Sequence, residues 1–127
     1  MGYESKLYIK RRSVFESPTG KKIVLADDVM IFDLSKMGYE KVNGKTFNQI
    51  FTREIDYPLF YKNDEPVYED CYGEHCKAAT IKEVVGWLVQ SKTISEYWRA
   101  EALVPVLLSI DNCYNGDDEL EVVHYGY

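Results

Sequence analysis

The chain has 127 residues, 46% of them hydrophobic and 28% charged, which excludes a disordered polypeptide and sets one domain, residues 1–127, able to bury its own core. A net charge of −6 excludes a general nucleic-acid binder, which needs Lys and Arg to displace counterions from phosphates. Three cysteines in no framework spacing, no apolar run near the ~20 residues of a membrane span, and no signal-peptide pattern in the Tyr- and charge-rich opening residues predict a soluble protein of the reducing cytoplasm. The charge is unevenly spread. Residues 1–53 carry ten Lys/Arg against six Asp/Glu, whereas residues 54–127 carry five against fifteen.

Residues 7–15 mix Tyr8, Ile9, Val14 and Phe15 with Lys10, Arg11 and Arg12, as a half-exposed strand does. The turn chemistry of Glu16-Ser17-Pro18-Thr19-Gly20 follows, with Pro18 presetting φ and Gly20 open to positive φ. In residues 22–34, two apolar runs flank Asp27-Asp28, and the pattern predicts a hairpin of two short strands with a bulge or loop at the acids. Gly38 and Asn43-Gly44 break the segment after it. Thr46-Phe47-Asn48-Gln49 is a capping-box pattern that predicts one or two helical turns burying Phe47, Ile50 and Phe51. The residue before Pro58 avoids helical geometry, so that segment stops there. Leu59-Phe60-Tyr61-Lys62, Asn63-Asp64 and the residues to Glu69 read as a second hairpin, because Asn and Asp tolerate the left-handed conformation of a tight turn.

Residues 78–112 read as two helices. Thr80-Ile81-Lys82-Glu83 and Thr93-Ile94-Ser95-Glu96 each match a capping box, and Ile81, Val84, Val85 and Leu88 repeat at the spacing of one buried helical face. Gly86 lies inside the first helix, which predicts close approach of a backbone or a bulky ring, with a functional groove as the alternative. Pro105 lies inside the second and predicts a kink or restart, since the bond to the Glu101 carbonyl is lost. A loop at Asn115-Gly116-Asp117-Asp118 leads to a last strand with β-branched Val122-Val123. The sum is an α+β fold: an antiparallel sheet of four to six strands with a two-helix hairpin packed on one face.

No P-loop, dinucleotide fingerprint or nucleophile elbow occurs. Cys71, His75 and Cys76 are soft-ligand types, yet a structural zinc wants a second tight pair that is absent. As nucleophiles these thiols sit among Glu69, Asp70 and Glu74, whose charge disfavours a thiolate. Asp27 and Asp28 on regular strand point to opposite faces and cannot share one ion. The expectation is a protein without catalysis, metal or cofactor, with a small enzyme or metal protein built on Cys71, His75 and Cys76 as the alternative.

Tyrosine is the unusual component, with eleven of the eighteen aromatic residues. Acids gather with it twice: Asp64, Glu65, Glu69, Asp70 and Glu74 around Tyr61, Tyr68 and Tyr72, and Asp117, Asp118, Glu119 and Glu121 near Tyr125. Tyrosine offers rigid area with a polar tip, and an acidic surround suits a basic partner. These thirteen residues form the expected partner-binding surface, although a merely solvated acidic face is the ordinary explanation of any one cluster.

Four pieces carry a resemblance: Met1-Gly2-Tyr3-Glu4-Ser5-Lys6 running into a strand, Phe32-Asp33-Leu34, Asp70-Cys71-Tyr72-Gly73, and Tyr97-x-Arg99 with Pro105 and Leu107-Leu108. In these the chain resembles small proteins encoded by tailed phages and prophages of Gram-positive bacteria, though it is longer in residues 39–56 and in its last strand. The resemblance implies a setting and no functional residue. Phage accessory proteins of this size bind and inhibit host proteins, including CRISPR and other anti-phage defence nucleases. A host protein with a basic cleft is therefore the expected partner, with no direct contact to nucleic acid or membrane.

Overall fold

The computed structural model describes residues 4–35, 37, 39–115 and 119–126. Two strands of twelve residues, β1 (Ser5–Glu16) and β2 (Lys22–Asp33), form a long antiparallel hairpin closed at Gly20 with φ +81°. After a single 3₁₀ turn (Asn48–Ile50) come β3 (Arg53–Glu54), the small hairpin β4 (Phe60–Lys62) and β5 (Glu65–Val67), and β6 (Lys77–Ala79). Three helices follow, α1 (Ile81–Gln90), α2 (Thr93–Glu96) and α3 (Trp98–Cys113), and then β7 (Leu120–Gly126). The main sheet is antiparallel throughout, in the order β2-β1-β7-β6-β3, while β4 and β5 form a separate two-stranded sheet. The fold is α+β, as the sequence predicts.

Strand alternation divides the core in two. Leu7, Ile9, Leu120 and Val122 face the helices and pack with Ile81, Val84, Leu88, Ala100, Leu103 and Leu107. Tyr8 and Val123 face the other way, into a second core with Ile55, Tyr57 and Leu59, covered by Phe60 and Tyr68. The sheet is therefore clad on both faces. β7, inserted between β1 and β6, has Leu120–Val123 and His124 all buried.

Several expectations change. Residues 22–33 are one strand, not a hairpin; β1 supplies the pairing that a second short strand would have supplied. The acids mark a bulge: Ile9 pairs with Met30 and Lys10 with Asp28, leaving Val29 extra. The Thr80 box forms as predicted, with Glu83 N donating to Thr80 Oγ1 (3.1 Å) and Thr80 N to Glu83 Oε1 (3.2 Å). The box at Thr93 does not. Glu40 reaches across and accepts from Lys92 N (2.7 Å), Thr93 N (3.0 Å) and the Thr93 hydroxyl (2.6 Å), so a distant carboxylate caps the short α2. At Thr46, Gln49 Oε1 accepts from Thr46 N (2.9 Å), but only a 3₁₀ turn results, burying Phe47 and Phe51 with Ile50 partly covered. α3 continues through Pro105 without a restart. A Cβ placed on Gly86 would meet nothing within 4 Å, so no backbone or ring crowds that position.

Among the described residues no helix is long and apolar enough to cross a membrane.

Candidate recognition surface and cleft

The turn of the β4–β5 hairpin places Asn63 and Asp64 at φ +52° and +64°, the two successive left-handed residues of a type I′ connection. Its inner side, Phe60, lies against Tyr8 and Tyr125 with ring centroids 6.3 Å away in each case. That anchor turns Tyr61 to the other face, 67% exposed, and Asp64 at the turn and Glu65 on the Phe60 side are exposed as well. From β5 the chain continues through a Glu69–His75 bridge, where Cys76 N donates to Tyr68 O (2.9 Å) and the Tyr68 ring stacks on His75 (5.9 Å, 14°). The loop between is tied by Asp70, whose Oδ1 accepts from Tyr72 N (2.8 Å) and Glu74 N (3.0 Å). Asp70 is thus a half-buried turn former.

The hairpin carries Tyr61, Asp64 and Glu65, and the segment after it carries Tyr68, Glu69, Asp70, Tyr72 and Glu74, of which Asp70, Tyr72 and Glu74 line one cleft. Tyr125 belongs with them, its hydroxyl pushed up to about 12 by burial and by nearby Cys71 and Glu4. Tyr72 Oη accepts from Glu4 N (3.0 Å), which ties the loop to the start of β1. The acids at the start of β7 lie elsewhere. Glu119 and Glu121 border a depression shared with Arg12, Arg53, Glu54 and Asp56. Glu121 is only 8% exposed and accepts a hydrogen bond from Tyr57 Oη (2.9 Å), with Arg53 at 3.8 Å. It is an internal carboxylate, not part of an open acidic face, because alternation along β7 points it toward the second core. Burial, then the Glu121 charge, raises the Tyr57 pKa and keeps it a donor. Asp117 and Asp118 lie outside the described residues.

Beside the loop is a cleft of about 440 Å³. Asp70, Tyr72, Glu74 and His75 of the loop line it together with Asn48, Gln49 and Phe51 of the 3₁₀ segment and His124 of β7. His124 Nδ1 lies 2.7 Å from Asn48 Oδ1 and Nε2 lies 2.7 Å from Ser5 Oγ, while Phe51 stacks on the imidazole at 5.1 Å. With the amide oxygen facing it, Nδ1 is the donor, and Nε2 accepts from the serine hydroxyl. This is the hydrogen-bond order of a nucleophile, base and orienting amide. Ser5, however, is fully buried in the paired start of β1. Close packing keeps it so: Gly126 at φ +98° lies against Glu4, and a Cβ there would come within 1.9 Å of the Glu4 carbonyl oxygen. Sequence reading missed this trio; the one signal was a histidine in the otherwise apolar Val122-Val123-His124 run, which needs buried partners.

Cys71 and Cys113 are exposed and Cys76 is buried, all three as free thiols. Burial first, then Asp70 and Glu69, pushes the Cys76 thiol up to about 12, which disfavours a nucleophilic thiolate. His75 Nδ1 approaches the Cys76 carbonyl oxygen (3.1 Å) and Glu54 (3.5 Å). Among the described residues no group of three or more His, Cys, Asp or Glu side chains is placed to hold a metal ion, so Cys71, His75 and Cys76 are not assembled as a ligand set. Asp28 is likewise engaged, 2.5 Å from Lys10 Nζ.

No family model, curated protein or solved structure matches this chain.

Proposed function

We propose that this protein works by stoichiometric binding, as a phage-encoded inhibitor of a host protein with a basic cleft, such as a CRISPR or other anti-phage defence nuclease. The observation that supports this reading is the run of acid and tyrosine along the β4–β5 hairpin and the loop at Asp70, where Tyr61, Asp64, Glu65 and Glu69 are all exposed, Tyr61 and Glu65 on opposite faces of the hairpin. Carboxylates on such a face occupy places where phosphates would lie in a nucleic-acid channel, and the rings stand in for bases. The test is a pull-down from host lysate with the parent chain and with Glu65→Lys/Glu69→Lys, followed by association kinetics on the recovered partner. Asp70 is left intact because it holds the loop. The double reversal is expected to slow association more than it speeds dissociation, and rising salt to weaken the parent complex. Recovery of one partner equally well by both proteins would remove the acidic-face mechanism.

A second reading, a small hydrolytic enzyme, draws on the Ser5–His124–Asn48 chain beside the cleft. A fluorophosphonate probe distinguishes the two: stoichiometric labelling at Ser5 would favour the enzyme, and its absence from folded protein the binding module.

A further inference from the structure

β2 is an edge strand of the sheet, and no strand pairs with its outer side among the described residues. Two backbone bonds show which residues face that side. Ser17 N donates to Lys21 O across the hairpin mouth, and Arg12 N donates away from β2, to Glu119 O, both at 2.8 Å. With Phe15 opposite Ile23, Ser13 opposite Leu25 and Arg12 opposite Ala26, the antiparallel alternation follows. Ile23 and Leu25 exchange bonds with β1, whereas Lys22, Val24 and Ala26 turn their N–H and C=O groups outward. Beside that open ladder Phe15, Ile23 and Leu25 are 54%, 43% and 54% exposed. A long apolar edge of this kind is a template for another strand.

Charge selects the occupant. Lys21 and Asp27 flank Val24 at equal distances along the chain. A second copy running antiparallel, centred on Val24, sets Lys21 against the partner's Asp27, and the two-fold axis repeats the pair. The same register sets Ile23 against the partner's Leu25, also twice, on the face that carries Phe15. Lys22 meets the partner's Ala26 and Val24 meets the partner's Val24, so outward backbone groups face outward groups and can bond. A one-residue slip loses that match. Of the two next allowed registers, one sets Lys22 against Asp28, which Lys10 already holds at 2.5 Å, and the other sets Lys22 against Val24 and Lys21 against Leu25, with no acid opposite either lysine. We propose that the protein forms a two-fold dimer through β2, joining two main sheets into one continuous sheet.

The test is sedimentation equilibrium of the full chain over a concentration series, with Val24→Pro and Leu25→Lys as variants. Proline at Val24 removes an outward N–H and leaves the ladder to β1 intact, the placement that edge strands tolerate. Leu25→Lys alters an exposed side chain, so it reads the interface even if Val24→Pro perturbs folding. The parent is expected to approach twice the chain mass, with each variant weakening the dimer by about tenfold or more. Amide exchange at Val24 and Ala26 should slow as parent concentration rises. A parent that stays monomeric to its solubility limit would overturn the proposal. So would a dimer that both folded variants leave unchanged, which would lie on another face, or a monomer whose β2 amides are protected only by an added extended peptide.

Discussion

At Gly86 the chain accepts a helix-interior glycine that no neighbour requires, since a Cβ would enter open space. Gly86→Ala is therefore expected to stabilise the fold by about 1 kcal/mol, the helix-propensity difference, measured as a shift in urea midpoint at unchanged slope. A loss of stability would mean that something does approach that face. Tyr57 offers the opposite case. Its hydroxyl is the donor that satisfies the internal Glu121 carboxylate, so Tyr57→Phe removes a bond and leaves a buried acceptor short. The expected cost is about 1–3 kcal/mol in the same assay. A neutral result would place water in that role.

Among the elements, α1 and α3 carry the helical side of the core. Trp87, inside α1, sets its ring edge-on to Phe47 at 5.4 Å and donates Nε1–H to Lys45 O (2.9 Å). Leu107, on α3, is fully buried. Trp87→Ala and Leu107→Ala should each cost on the order of 3 kcal/mol in denaturant unfolding, whereas a few tenths would show that the helices are loosely seated. These elements were legible because their signals are local: Thr80 and Glu83 are three residues apart, and the Asn63-Asp64 turn specifies its own geometry. What stayed hidden depends on partners distant in sequence. Glu40 usurps the cap at Thr93 from more than fifty residues away, so the local box pattern there misleads. Lys22 to Asp33 read as two strands because its interior acids look like a turn until β1 and the Val29 bulge are in place. The acids and tyrosines expected to meet a partner were legible as a composition, and most of them lie in the hairpin and its loop. Glu121 separates from them because strand alternation around the first residues of β7 cannot be phased before the second core is known.

At the scale of the whole molecule, two carboxylates are kept charged by partners distant in sequence. Hydrogen bonding from the Thr93 hydroxyl, then from the Lys92 and Thr93 amides, holds Glu40 below the usual carboxylate range, and Arg12 does the same for Asp56 through a 2.8 Å bond from Nε. Both folded values lie below the unfolded ones, so the stabilisation is present above the ordinary carboxylate range. It is lost as pH falls through the folded values, beginning near pH 4. Thermal melts should therefore show an acid limb that Glu40→Gln flattens; an unaltered limb would assign acid sensitivity to other groups. β7 has a further consequence, one of timing. It is made after the other described strands, yet it occupies the middle of the sheet, joining β1 to β6 and closing both cores. A nascent chain therefore carries its long β1–β2 hairpin and its helices for the whole of their synthesis without the strand that unites them. Completion waits until residue 126 has cleared the ribosome, and the ribosome-bound chain meanwhile exposes both flanks of a divided sheet to chaperones and to neighbouring chains.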